Sequence, residues 1–443
     1  MLVVLIGFTI KFDFLGVTSI GRGVGLLPSY YTCLLHFFSS SSVDINKLLA
    51  LWVEIIFKNF DGLVKVNGRN IIVADGIKVG KEGKKMPGVK WLYQSSESNT
   101  KPEYIMGHHI QAIAILAKGI RNYFAVPLTA KIHEGVRFNC KDKRTILDKL
   151  VELLLDANLP CAYYLVADKY YCSGRLMKML VAKGIHLVTM MKKNSVAFHP
   201  FQGKHNGPGR TKKYGEKVKL FDLFTAGLEF TTASMPTNEK IIIEYCVIQL
   251  LWRPLGDLAQ FVLVKHPTRG NSICMSTDLS IASLDLILCY SLRFKIEVLF
   301  KQAIHQIGTF MYRFWFKGML PRKRGNASGD HVLQFSPKEF KEKIALKLHA
   351  YHLFIQLAFI AQGLMQFLSI YYHKQIWGSF GSWLRTIRDD TLPSEKVVTM
   401  ALRKTYIEFL KGGYISGIFE KFMRSRTDIH QLQDSTVEFS EAA

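Results

Sequence analysis

Three carboxylates have the residue type and setting that metal chemistry needs. Asp75 closes the apolar run "IIVAD", Asp168 closes "YYLVAD", and Glu297 falls in "YSLRFKIEVLFK", whose apolar positions have helical spacing. Two neighbouring strands that each end in Asp place both acids on one rim of a sheet, where open α/β folds bind ligands. Such a pair repels unless a cation lies between its members, and a hard ion with oxygen ligands, Mg²⁺ or Mn²⁺, suits it. Tyr290, Arg293, Glu297 and Lys301 share one helical face by their spacing. Glu297 would reach the metal from that face while its basic neighbours reach phosphate. Either Asp alone is an ordinary turn acid; the three in order favour a metal site.

The elements that must position these acids follow from the patterning. Asp44 precedes apolar residues at helical spacing, so Ser42 to Phe60 reads as a capped helix. "NIIVAD", "HIQAIAILAKG" and "YFAVPLTAKI" are β-rich runs punctuated by Gly and Asn and predict a meander of adjacent strands. "RTILDKLVELLLDANLP" predicts a helix, "CAYYLVAD" a buried strand, "SGRLMKMLVAKG" a short helix and "IHLVTMMKK" another strand. From about Asn194 to His266 the pattern turns to Gly- and Lys-rich loop followed by long β-rich runs, read as an inserted subdomain. Ser283 to about Ile307 resumes as one helix, and the chain beyond Pro321 looks largely helical.

Composition narrows the partners. The 443 residues carry 58 Lys and Arg against 35 Asp and Glu, a formal charge of +23, and 49% are hydrophobic. A globular core is affordable, and so much positive charge points to a polyanion, nucleic acid first and an anionic membrane surface second. Lys78, Lys81, Lys84 and Lys85 follow Asp75 directly and are expected along a phosphate backbone. Seven cysteines occur singly with no C-x-x-C pair, which argues against a disulfide framework or a zinc ribbon and fits a reducing compartment. The apolar start "MLVVLIGFTI" lacks a basic flank and a small-residue cleavage site, so it reads as a buried helix or strand. Leu348 to His373 has no Asp, Glu, Lys or Arg, but its histidines and glutamines favour a core helix over a membrane span.

The ordered motifs, "IIVADG" with Asp75, "YYLVADKYYCSG" with Asp168 and the Tyr-x2-Arg-x3-Glu helix of Tyr290, Arg293 and Glu297, resemble the DDE transposases of bacterial insertion sequences. The resemblance covers roughly Val73 to Lys317. It implies an α/β fold with an RNase H-like catalytic core and a β-rich insertion, flanked by helical N- and C-terminal regions. It implies two Mg²⁺ or Mn²⁺ ions per active site held by Asp75, Asp168 and Glu297. It also implies DNA contacts from Tyr290 and Arg293, phosphodiester hydrolysis at transposon ends, and strand transfer of the 3′-hydroxyl into target DNA. The expected partner is double-stranded DNA, bound by a homodimer when two ends are paired, without a membrane, in the cytoplasm and associated with the nucleoid. One position departs: where the family motif has six residues and then a Lys after the Glu, this chain has Ile304, so Lys301 or His305 must supply that phosphate contact or it is lost. A DNA-binding protein of the same fold without cleavage is the alternative.

These readings divide the chain into a helical region at 1–62, a DNA-end-binding segment or an incomplete one, and the first part of the core at 63–193. A β-rich insertion at 194–270, core completion at 271–320, a helical region at 321–426 and a disordered tail at 427–443 follow. Four further motifs read as structure: adjacent His108 and His109, facing opposite sides of a strand; "GRGVG" at Gly21 to Gly25, a flexible linker; the basic loop Lys317 to Gly325; and aromatic Trp377, Phe380 and Trp383 interleaved with Arg385 and Arg388.

Overall fold

The computed structural model describes the chain apart from residues 82, 84, 95–101, 134–143, 204–211, 314–315, 319–336, 382–389, 413–416, 431 and 433–443. The first sixty residues form helices α1 (Leu2–Ile10), α2 (Val17–Gly23), α3 (Tyr31–Ser39) and α4 (Ile45–Asn59). Asp44 caps α4 by accepting the Asn46 and Lys47 amides at 2.8 and 3.2 Å, and Leu49, Trp52, Val53 and Ile56 form its buried face. "GRGVG" is not a linker. Its first half ends α2, Gly25 turns with a φ of +66°, and Leu26 bridges Thr427 near the other end of the chain.

Strands β1 (Lys65–Val66), β2 (Arg69–Gly80), β3 (Lys90–Tyr93), β4 (Tyr104–Lys118) and β5 (Tyr123–Ile132) come next, then α5 (Ile146–Ala157), β6 (Tyr163–Ala167), α6 (Gly174–Val181) and β7 (His186–Met190). Their order across the sheet is β5-β4-β2-β6-β7: β2, β4 and β5 form an antiparallel meander, and β6 and β7 run parallel to β2. This three-plus-two arrangement is an RNase H-like core. The unbroken apolar runs have a simple cause, since Ile71 and Val73 enter the core on one face of the sheet while Ile72 and Ala74 enter it on the other.

Strands β8 (Val196–Pro200), β9 (Tyr214–Lys219), β10 (Thr231–Met235), β11 (Asn238–Trp252), β12 (Asp257–His266) and β13 (Gly270–Ser276) fill the β-rich segment. They are joined to the core through one edge of its sheet. β13 pairs antiparallel with β7, setting Cys274 against Met190 and Ser276 against Val188, and β12, β11, β8 and β9 continue the same sheet. The outer edge of β7 needs hydrogen-bond partners, and β13 supplies them.

The remaining helices are α7 (Ser283–Leu292), α8 (Lys295–Gln302), α9 (Lys338–Tyr371), α10 (His373–Phe380), α11 (Glu395–Lys411) and α12 (Ile418–Arg424). The expected single helix from Ser283 is therefore broken at Arg293–Phe294, where the chain tightens to three-residue bonds from Arg293 N–H to the Tyr290 carbonyl and from Glu297 N–H to the Phe294 carbonyl. A π-helical turn over Ala303–Ile307 ends the segment, and Gly308 closes it with a φ of +65°. Helix α9 is the one described helix long and apolar enough to cross a membrane, yet 78% of its apolar window is buried inside the protein. Its polar residues act as anchors: Gln356 donates to the Leu128 carbonyl at 2.8 Å, Gln362 to the Leu299 carbonyl at 3.2 Å and Gln366 to Glu395 at 3.2 Å.

Three further expectations meet the structure here. The expected tail from 427 does not begin loose, because Leu432 is buried beside Ile10, Val24 and Tyr406, while 433–443 lie outside the described residues. Trp377 and Phe380 are core residues, with the Trp377 indole donating to the Thr391 carbonyl at 2.9 Å, while Trp383, Arg385 and Arg388 lie outside the described residues. The basic loop from Lys317 also lies mostly outside them. Six described cysteines are free thiols, and Cys140 lies outside the description.

Candidate active site

Asp75 and Asp168 meet because their strands are parallel and in register. β2 and β6 pair Ala74 with Ala167, so Asp75 and Asp168 follow at the same level, on strands about 4.8 Å apart; Asp168 ends β6, but Asp75 does not end β2 as its apolar run suggested, since β2 continues to Gly80 and Asp75 pairs with Ala112 of β4. Asp168 also caps the 3-10 turn Lys169–Tyr171, its Oδ1 accepting the Tyr170 amide at 2.8 Å, and its carbonyl accepts the Thr189 hydroxyl of β7 at 2.9 Å. Asp75 Oδ1 accepts the Gly76 amide at 2.7 Å.

Glu297 is joined to this pair through Arg293. The Arg293 guanidinium stands 3.3 Å from Asp75 Oδ2 and 2.5 Å from Glu297 Oε1, spanning the two carboxylates from the break between α7 and α8. Burial pushes the Asp75 carboxyl up to about 6, and the charges of Asp168 and Glu297 push the same way. The Gly76 amide and Arg293 pull against them without prevailing. The cluster therefore holds more negative charge than one guanidinium offsets.

Three hard oxygen donors with that excess charge are the right kind of group for Mg²⁺ or Mn²⁺. Among the described residues no three His, Cys, Asp or Glu side chains stand together closely enough to hold a metal ion, because Arg293 lies between Asp75 and Glu297. The donor set fits in kind, and Glu297 has to part from Arg293 to serve.

The other expected site residues divide. Tyr290 is half-buried below Arg293, its hydroxyl pushed up to about 12 chiefly by burial. Lys301 and His305 are exposed, whereas Ile304 packs against the core, so the departure at that position is an apolar contact. Lys78 is exposed with its ammonium on the Tyr93 carbonyl at 2.6 Å, and Lys85 donates to the Lys317 carbonyl at 3.1 Å. Lys81 is not a phosphate ligand here: it is buried, donates to the Phe310 and Tyr312 carbonyls, and burial with the charge of Arg313 brings its ammonium down to about 8. Lys84 lies outside the described residues.

Sequence reasoning missed Gln111, Tyr171 and the role of His109. Gln111 lies opposite Gly76 in β4 and donates to the Tyr171 hydroxyl at 3.3 Å. Burial and the charges of Asp75 and Asp168 hold that phenol well above its ordinary range. A Cβ on Gly76 would come within 2.4 Å of His109 Nε2, so glycine after the catalytic-type Asp makes room for the imidazole. Burial, with Lys90 and Lys78, pushes His109 down to about 4, leaving a neutral ring. His108 points to the other face and binds the Pro87 carbonyl at 2.8 Å, as the alternation of a strand requires. The available signal was a polar interruption, Gln111 inside "HIQAIAIL".

The RNase H-like sheet thus carries two register-matched acids on adjacent parallel strands, with a third acid on a following helix. Residues 26–229 match the family model described as DDE superfamily endonuclease, so the resemblance read from the motifs holds for that stretch, which contains Asp75 and Asp168. Among solved structures, the cryo-EM structure of a piggyBac transposase synaptic complex with hairpin DNA aligns over 96% of this chain and 73% of that chain, at 10% identity and a TM-score of 0.37. No curated protein matches the chain.

Proposed function

We propose that this chain is a DDE transposase that cleaves the ends of a mobile DNA element of the insertion-sequence type and transfers the 3′-hydroxyl into target DNA. Asp75, Asp168 and Glu297 would hold two Mg²⁺ or Mn²⁺ ions, and a homodimer would pair two ends in the cytoplasm at the nucleoid. The observation that carries this reading is the register of β2 and β6, which sets Asp75 beside Asp168 at the rim, with Glu297 one guanidinium away. Metal ions held by these carboxylates would supply charge neutralisation for an in-line displacement at phosphorus.

The chain's own residues position and screen. Arg293 keeps Glu297 and Asp75 within reach of one another and brings positive charge to the phosphate. Neutral His109 and the Gln111–Tyr171 pair flank the site on the β4 side. A second reading, DNA binding without cleavage, draws support from Ile304, whose apolar contact with the core replaces the expected lysine.

The test is nicking of an end-labelled duplex carrying an element end, with Mg²⁺ or Mn²⁺, by wild type and by Asp75→Ala, Asp168→Ala and Glu297→Ala. The reading expects metal-dependent nicking that drops at least a thousandfold in each variant. Wild-type binding without nicking selects the second reading, and nicking that survives all three substitutions sinks the first.

A further inference from the structure

The described ammonium groups that follow Asp75 are already engaged: Lys78 and Lys85 donate to main-chain carbonyls, and Lys81 is buried. The other flank of the carboxylates, beyond β6 and β7, carries cations that no acid holds. Three turns meet there. The first follows Asp168 and bears exposed Lys169. The second follows β7, is closed by the Ser195 amide donating to the Lys192 carbonyl at 3.0 Å, and bears exposed Lys192 and Lys193. The third joins β11 to β12, is closed by the Gly256 amide donating to the Trp252 carbonyl at 2.9 Å, and bears exposed Arg253.

Contacts hold the three turns side by side. The Thr189 hydroxyl donates to the Asp168 carbonyl at 2.9 Å, and Lys192 follows three residues later, at most about 10 Å of chain. Cys172 Sγ donates to Met191 Sδ at 3.5 Å, and Lys192 is near enough for its charge to oppose the burial that pushes the Cys172 thiol up to about 11. The start of α6 leaves no space for a Cβ on Gly174 beside the Pro254 carbonyl oxygen, so the Arg253 turn lies against the residues that follow Asp168. Among the described residues none of Lys169, Lys192, Lys193 and Arg253 is ion-paired, and Lys193 stands 5.9 Å from the centre of the Phe221 ring. The acids nearby are taken: Asp148 pairs with Arg175 at 2.8 Å, Asp257 with Lys213 at 3.9 Å and Asp222 with Lys219 at 4.0 Å. Like charges gathered on one surface repel, and a duplex with one negative charge per about 1.7 Å of axis relieves that repulsion.

We infer that Lys169, Lys192, Lys193 and Arg253 form a backbone-binding surface for duplex DNA, which leaves the carboxylates over β6, β7 and the inserted strands and not along the lysine run of β2. Lys169, next to Asp168, meets the backbone nearest the cut, and Lys192, Lys193 and Arg253 meet it farther out. The inserted strands thereby acquire a task, since the turn between β11 and β12 brings Arg253 to a surface that the core strands alone leave short of one cation. The inference rests on the proposed function for its ligand, double-stranded DNA.

The test measures binding of the full chain to a fluorescein-labelled duplex in EDTA, by anisotropy across a KCl series. Each phosphate contact removed lowers the magnitude of the slope of log affinity against log salt by about one. The combined variant Lys169→Gln, Lys192→Gln, Lys193→Gln and Arg253→Gln is expected to lose about three from the slope. The charge-preserving Lys169→Arg, Lys192→Arg, Lys193→Arg and Arg253→Lys is expected to keep it. So is a control that removes as much charge from the opposite rim, Lys58→Gln, Lys65→Gln, Lys118→Gln and Lys183→Gln, all exposed about the amino ends of β2, β6 and β7. A neutralised variant within about one of the wild-type slope, or an equal loss in the control or in the charge-preserving variant, overturns the surface and leaves the proposed function standing. Absence of salt-dependent DNA binding by the wild type defeats the proposed function itself and the surface with it.

Discussion

Asp75→Asn in metal-free buffer gives the sharpest physical check on the site. In the folded protein the Asp75 carboxyl sits at about 6 against an ordinary 3.8, a rise of about two units. At about 1.4 kcal/mol per unit, ionised Asp75 costs the fold on the order of 3 kcal/mol once the pH is well above 6. The side chain is only 21% exposed, so solvent screening discounts this little. The sign follows from the raised value: the folded state holds the proton more tightly, so the stabilising contribution is complete below about pH 4 and is lost as the pH climbs through 6. Asparagine carries no titrating proton and keeps nearly the same shape. In EDTA, thermal melts followed by tryptophan fluorescence should show the variant more stable than wild type at pH 8 and no more stable at pH 4. Mg²⁺ or Mn²⁺ should raise the wild-type melt at pH 8 and close the gap. A difference between the two proteins that is flat across pH, or that favours wild type at pH 8 without metal, would refute the picture of a charge-strained carboxylate cluster.

Two other substitutions probe how the fold holds that cluster. Gly363→Ala puts a Cβ 2.3 Å from Cζ2 of Trp52, whose ring is fixed by its indole donating to the Pro127 carbonyl at 2.8 Å. The expected cost is about 1–3 kcal/mol of overpacking, read as a lower melting temperature with unchanged metal dependence. Lys81→Gln should destabilise by about 1–2 kcal/mol, because two buried carbonyls lose a donor, and should leave the salt dependence of DNA binding unchanged. A changed salt slope would return Lys81 to the phosphate path.

Much of the site was legible because its signals are local. Asp75 and Asp168 each end an apolar run too short and too β-rich for a helix, and Glu297 shares a helical period with Arg293. The meander, α4 with its Asp44 cap and the α5-β6-α6-β7 succession were equally local. What escaped depends on distant pairing. The β-rich character of the inserted segment reads from sequence, but the pairing of β13 with β7 does not, because the edge it joins is not advertised. Lys81 reads as solvated because charge runs usually are, but its turn carries it under the Phe310 and Tyr312 carbonyls. The break at Arg293 is likewise invisible to periodicity, because two tightened bonds leave the spacing of the apolar residues intact.

Helix α9 has a consequence for how this chain can be divided. At 34 residues it is about 51 Å long, and it packs on β5, α1, α3, α4 and α11 at once. Its Tyr351 hydroxyl and Gln362 amide hold the Phe310 and Leu299 carbonyls, just beyond and within the helix that carries Glu297. The catalytic sheet is therefore not an excisable module. A fragment stopped before Lys338 would uncover one flank of β5 together with the helices that precede the sheet, and would present a broad sticky wall to its neighbours in place of a soluble nuclease core.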